Sequence, residues 1–355
     1  MTYYIFLTSV TVIVMFSRQH KRLTGVLAIG LLSAFAGSRL NIDLDYAMYR
    51  SLFESPAETL GASNGRSNGI ELSIHLIPWI SRFFFTSSDT IVLSSFMIFA
   101  ILGVSTKIFA LRKYSENFAL SVALYLSYLF LVQEMTTIRA GVASGIFLLS
   151  LGNLINREHA KFLVKMGAAF LFHTTSILFV VIWGLFYLGI RLRYYYAALA
   201  ASLMIALLKV NILPFLHLDQ AFPRVAVYST INSSSQETAL NIFNFRILIS
   251  LAMLMCFTLA YRRMSTVKWF DELLKMHIFS LVVFFSLSGS AIVFSLRAYE
   301  LIAVVQLLLY PMVLHLFGRQ HKHFGWLLIV SISAVHAWYL VDISGTLRPY
   351  RSWLF

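Results

Sequence analysis

Apolar runs of roughly 15–20 residues recur along the whole chain, and no other feature limits its possible folds so strongly. They fall near 2–17, 23–38, 90–111, 118–133, 138–155, 162–176, 177–190, 194–212, 240–260, 276–292, 299–316 and 324–341. In hydrocarbon only helices and closed barrels satisfy their own backbone, and runs of this length read as helices. Only 12% of the residues are charged, where a soluble domain carries about 25%. The expectation is an all-α polytopic membrane protein of about twelve transmembrane helices. It forms a single membrane-embedded domain over residues 1–355, with no soluble module.

Charge orients the bundle. The first basic cluster, Arg18, Lys21 and Arg22, follows the first apolar run instead of preceding it. That order argues against a cleaved signal and predicts an outer N-terminus. With twelve crossings both termini are outer, and the inner loops then hold sixteen of the 28 basic residues but four of the 15 acidic ones. Inner positive charge meeting anionic lipid accounts for the net +13, so no nucleic-acid partner is needed. The one cysteine, Cys256, lies inside an apolar run, which leaves no disulfide framework and no thiolate metal site. His315, His321 and His323 sit among inner cations without neighbouring acids and read as a lipid-facing cluster. No metal or other cofactor is expected.

Positive-inside sorting does not explain the outer side, where ten arginines stand against one lysine, Lys209. Arginine's planar fork grips phosphate bidentately and keeps its proton, so several of these read as anion ligands. They begin in the first outer loop, 39–89, where Arg39–Phe53 packs Asp43, Asp45, Arg50, Tyr46 and Tyr49 at the mouth of the membrane. Residues 70–85 hold Glu71, His75, Pro78 and Arg82. A full span there would put Arg112 and Lys113 outside, so a short re-entrant or interfacial helix over the Arg39 loop is predicted, with a thirteenth span as the alternative. A glycine- and asparagine-rich connector, 61–69, precedes it. The second outer loop, 213–239, carries Arg224 and Tyr228.

Three further places carry chemistry. Arg139 opens a run whose small residues at 140, 141, 143, 144 and 145 let helices approach closely, so the arginine points into a cavity or pairs with Glu71 or Glu134. His173 stands before Thr174, Thr175 and Ser176 at one depth, as an orienting group or a base. Arg297 and Tyr299 begin another run and repeat the arginine-then-tyrosine theme, which suits phosphate binding beside sugar stacking. The outer C-terminal stretch Arg348–Trp353 reads as an interface anchor. No internal repeat is visible, which weighs against a secondary transporter.

Arg39, then Asp45 with Tyr46, Tyr49 and Phe53, then Glu71, then Ile138-Arg139 with Ala143, then Phe172-His173 through Ser176, then Arg297 with Tyr299, stand in one order between the runs. This order resembles the EpsG/Wzy-type polysaccharide polymerases across most of the chain. Members often carry glutamine after the Ile-Arg pair, and here Ala140 stands there. The resemblance implies a bacterial inner-membrane glycosyltransferase, GT-C-like architecture being possible, acting at the periplasmic face. It would move a glycan from undecaprenyl pyrophosphate onto a new lipid-linked repeat unit, making O-antigen, capsule or exopolysaccharide. Its partners would be undecaprenyl-pyrophosphate-linked oligosaccharides, membrane lipid and a chain-length regulator protein. The diphosphate then falls to Arg139 and Arg297, supported by Arg39 and Arg224. The base falls to Asp45, then Asp43 or Glu71, then His173. Tyr46, Tyr49 and Tyr299 would line the sugar path. Two other readings are a lipid-linked glycan ligase or acyltransferase, and a lipid-linked oligosaccharide flippase.

Overall fold

The computed structural model describes residues 1–16, 21–54, 71–212, 242–289 and 292–354. Among them the chain is all-helical, with no strands. In order come α1 (Thr2–Phe16), α2 (Lys21–Gly37), α3 (Tyr46–Glu54), α4 (Ser73–Ser81), α5 (Ser88–Tyr114) and α6 (Phe118–Leu124), which widens into π-helical bonding over Tyr125–Glu134. Then follow α7 (Ile138–Ile155), α8 (His159–Phe172), α9 (Ile177–Tyr187), α10 (Leu192–Leu207), α11 (Phe245–Leu259), α12 (Phe270–Ser288), α13 (Ile292–Ala303), α14 (Gln306–Leu309) and α15 (Lys322–Trp338).

Every expected apolar run contains a helix. Three helices are long and apolar enough by themselves to cross a bilayer: α5, α7 and Lys322–Ile343, the last being α15 with its π-helical end. A fourth is gained if Val293–Ala303 and Gln306–Leu316, bent by 46°, form one broken span. That break moves an expected boundary. Arg297 and Tyr299 lie inside α13 instead of opening a span at 299, because the helix starts earlier and interrupts itself between Ala303 and Gln306.

The core packs α2 and α7 on α5, α8 on α7, and α10 and α13 on α12. Small residues on α7 make its approach possible. A Cβ added at Gly141 would lie 2.8 Å from the Gln133 carbonyl oxygen, and one at Gly145 would collide with Thr106 of α5. Between α5 and α6 a charged pair is sealed inside: Lys107 Nζ donates to Glu134 Oε1 at 2.5 Å and to the Gly141 carbonyl at 2.6 Å.

Two short helices cap one end of the bundle. At nine residues α4 is about 14 Å long, short of the roughly 30 Å of hydrocarbon, so it does not by itself cross. It packs on α3 and α5 through Ile74 and Ile77, which join Tyr46, Tyr49, Phe53, Phe96 and Phe99 in a second apolar core. Its other face, with Trp79, Phe83, Phe84 and Phe85, is exposed.

The chain reaches α3 through a corner at residues 38–45, where Asn41 takes left-handed backbone (φ 49°). The C-terminal tail clips onto this corner. Leu40 N–H donates to the Arg351 carbonyl at 2.9 Å, and Arg348 N–H donates to that of Ile42 at 2.8 Å. The tail, expected as a membrane-interface anchor, is held by backbone pairing to the first loop. The connector 61–69 and the loop 213–239, with Arg224 and Tyr228, lie outside the described residues.

Candidate active site

The capped end of the bundle gathers most of the residues singled out in the sequence. Glu71, two residues ahead of α4, is the hub, and its side chain is fully buried. One oxygen, Oε2, receives Arg139 Nη1 from the first turn of α7 in a short ion pair. The other, Oε1, lies 3.2 Å from His173 Nδ1 and accepts longer bonds from the Thr174 backbone N–H and hydroxyl, both at 3.4 Å. Arg139 Nε also donates to Tyr49 Oη at 3.2 Å. Three chain segments far apart in sequence thus meet on one carboxylate. Of the two partners expected for Arg139, Glu71 is the one found; Glu134 is taken by Lys107.

His173 owes its position to the end of α8. It leaves the helix in extended backbone, and a 3-10 turn, Thr174–Ser176, follows at once. Burial lowers its pKa below the ordinary 6.5, with the bond to Glu71 acting in opposition. The ring is therefore neutral near pH 7. With Nδ1–H donated to Glu71, Nε2 is left as the basic nitrogen.

The second arginine pairs with Asp45. Arg297 Nη2 lies 3.1 Å from Asp45 Oδ2 and 3.4 Å from Oδ1. This pair is wetter than the first, with side-chain exposures of 37% and 17% against 10% and 0% for Arg139 and Glu71. Arg139, Arg297, His173, Tyr49, Gln133 and Glu300 share the wall of a hollow of about 30 Å³.

The other expected residues go elsewhere. Arg39 is fully buried: it donates through Nε to Asp43 Oδ2 at 3.2 Å and through Nη1 to the Ala36 carbonyl at 2.7 Å, and it stacks over Phe96. Asp43 caps the corner by accepting from the Asp45 N–H at 3.0 Å. Burial pushes its carboxyl above the ordinary range, with Arg39 pulling the other way. This pair holds the corner that presents Asp45 and does not line the hollow. Tyr46 is stacked on Phe96 in the second core. Tyr299 turns into the bundle, bonding Ser250 and accepting from Gln306 Nε2 at 2.8 Å. Of the three tyrosines, Tyr49 alone reaches the hollow.

Two residues of the wall, Glu300 and Gln133, are not among those expected from the sequence, and Tyr128 stands behind Glu300. Glu300 reaches the wall from α13, where its Oε1 accepts from Arg246 Nη1 at 2.6 Å and Tyr128 Oη at 2.8 Å. Its own carbonyl accepts from Gln133 Nε2 at 2.9 Å. A usable signal existed: Glu300 follows Arg297 by three residues, which on a helix means the same face. Gln133 and Tyr128 sit in the π-helical stretch, a feature that often marks function but has no plain sequence signature.

Among the described residues no cluster of three His, Cys, Asp or Glu side chains could hold a metal. The expectation that His315 lacks an acidic neighbour is corrected: Glu116 Oε2 lies 2.5 Å from its Nε2.

What the site offers is two guanidinium groups, a neutral imidazole set by a buried carboxylate, and a phenol, at one end of an apolar bundle. A model of the EpsG family matches residues 22–352, nearly the whole chain. No curated protein and no solved structure matches it.

Proposed function

The chain belongs to the EpsG family, whose role is of polysaccharide-polymerase type, and on that premise we propose that it joins undecaprenyl-pyrophosphate-linked repeat units. The capped end would face the periplasm of a bacterial inner membrane, and the twelve helical runs would cross it. Inner-side enrichment in lysine and arginine supports that orientation.

The observation that carries the reading is the meeting of Arg139, Arg297 and His173 around one hollow, with Glu71 behind two of them. Glycosyl transfer from a lipid diphosphate needs charge stabilised on the leaving group, and fixed guanidinium groups supply it. It also needs the acceptor hydroxyl to lose a proton. His173 Nε2 takes that proton, the acceptor oxygen bonds the anomeric carbon, and the bond from that carbon to the diphosphate oxygen breaks. The electron pair leaves on the diphosphate between Arg139 and Arg297. Glu71 fixes the imidazole tautomer, the arrangement of a base held by a buried acid.

On this reading the base is His173 instead of Asp45, the first choice from sequence. Glu71 has both carboxylate oxygens engaged by Arg139, His173 and Thr174, so neither is turned to an acceptor hydroxyl. Asp45 covers Arg297 in the more exposed pair, which an incoming diphosphate can displace at little cost. Tyr49, beside Arg139, offers a ring and hydroxyl to a sugar.

The test is the length of lipid-linked glycan. Arg139→Ala and Arg297→Ala, expressed at normal level, should leave single repeat units on lipid. Unchanged long chains would remove both residues from the chemistry. Full-length polymer that accumulates on lipid without reaching its final acceptor would instead indicate a ligase.

A further inference from the structure

The described residues also form a cleft away from the capped end. It has a volume of about 1200 Å³ and opens at the opposite end, where Arg112, Lys113, Glu116, His315, Lys322 and Trp326 line it. The helix α5 runs from Asp89, paired with Arg50 beside α3, to Arg112 and Lys113 in its last turn. Its 27 residues rise about 40 Å, so the cleft lies at the far end of that helix from the Arg50–Asp89 pair.

Its chemistry is amphipathic. Three fixed cations stand against one carboxylate, and that carboxylate, Glu116, already bonds His315 at 2.5 Å. Among the described residues none of the three cations is in an ion pair with an acid. Phe109, Leu149 and Leu314 supply apolar wall below them.

Helix ends explain part of this and not the rest. Arg112 and Lys113 suit the negative C-terminal end of α5. Lys322 does not suit its place: it is the first residue of α15, where the helix field is positive and a cation is unfavourable. Arg112 is also tightly seated. A Cβ at Gly25 of α2 would lie 2.8 Å from its Cδ and 2.9 Å from its Nη1, so the glycine keeps room for the guanidinium against the neighbouring helix.

We infer that this cleft is a binding site for the phosphate headgroup of an anionic phospholipid, with the acyl chains along its apolar wall. Basic pockets between transmembrane helices at the positively charged side take such headgroups. The inference does not rest on the polymerase reading; the cleft could hold lipid whatever reaction the far end performs.

The test uses the full chain in nanodiscs of equal phosphatidylglycerol and phosphatidylcholine, with retained lipids counted by native mass spectrometry after extraction. The wild type should keep phosphatidylglycerol preferentially. Arg112→Ala and Lys322→Ala should each lower that preference about fivefold, the worth of one cation near a headgroup. Lys161→Ala, an exposed lysine elsewhere at this end, should leave it unchanged. Should Arg112→Ala fail to fold, the exposed Lys322 still supplies the test. Equal losses in all three variants would mean diffuse attraction and overturn the inference. So would equal retention of phosphatidylcholine, or displacement by millimolar inorganic phosphate, which would make the ligand a soluble anion.

Discussion

Replacing Glu71 with glutamine separates the parts this carboxylate plays. Its side chain is fully buried and that of Arg139 is 10% exposed, so the charge lost is one that almost no water can replace. Breaking a buried pair by removing one partner costs about 3–5 kcal/mol, chiefly because the other charge is left unpaired. Arg139 keeps a bond to Tyr49, and the amide oxygen can still accept one N–H, so the lower end of that range is expected. Catalysis should suffer more. Without a charged acceptor at Nδ1, His173 loses the group that fixes its tautomer, and a general base contributes about 10²–10⁴ in rate. The assay is polymerisation of purified lipid-linked repeat units in detergent, followed as a ladder, alongside thermal unfolding of the same preparation. The expected result is a protein that still elutes as one species, melts earlier and polymerises on the order of a hundredfold or more slowly. A variant with wild-type melting and a wild-type ladder would refute the reasoning, since Glu71 would then neither compensate Arg139 nor orient His173.

Three other outcomes follow from the same geometry. Asp45→Asn removes a half-exposed pair worth about 0–1 kcal/mol, so stability should barely change, while the freed Arg297 should bind lipid diphosphate more tightly and lower KM at constant kcat; a hundredfold fall in kcat would return Asp45 to the role of base. His173 has a pKa below 6.5 when folded, so the unfolded chain binds its proton more readily; its contribution to stability is full above about pH 6.5 and is lost as pH falls, and polymerisation should be level near neutrality and drop on the acid side, a drop that His173→Gln should abolish along with most of the activity. Lys107→Met should destabilise by about 3–5 kcal/mol by stranding Glu134, and adding Glu134→Leu should restore most of the loss, as melting temperatures would report.

The sequence was most legible where one physical rule governs one element. Apolar length predicted the helices, because burial in hydrocarbon demands it whatever the neighbours do. The approach of α7 was legible for a similar reason: Gly141 and Gly145 can be read as absent side chains without knowing what fills the space. Pairing was less legible, because it depends on distances between segments that the order of residues does not contain. Arg139 had two acidic candidates, and only the fold shows that Lys107, a charge in mid-span passed over in the sequence, claims the other one. For the outward excess of arginine the sequence offered anion binding and pairing with outer acids, without saying which arginine does which. Arg139 and Arg297 face the hollow, whereas Arg39 and Arg246 are held by Asp43 and Glu300.

That division explains why the site can be charged and still sit at the end of an apolar bundle. An unpaired guanidinium buried among helices would cost more than a folded membrane protein can spare, and Arg39, Arg139, Arg246 and Arg297 each arrive with a carboxylate. The consequence for function lies in how tightly each pair is closed. Where both partners are buried, as in Arg39 with Asp43, substrate cannot compete and the pair only holds the chain. Where Arg297 keeps 37% of its side chain exposed, the proposed diphosphate, bearing more than one negative charge, would displace a single carboxylate. Exposure within the pair, more than the presence of arginine, therefore decides which guanidinium groups can receive a leaving group. On the proposed reading Arg297 would receive it first, while Arg139, held on Glu71 beside His173, would fix where the transferred sugar lies.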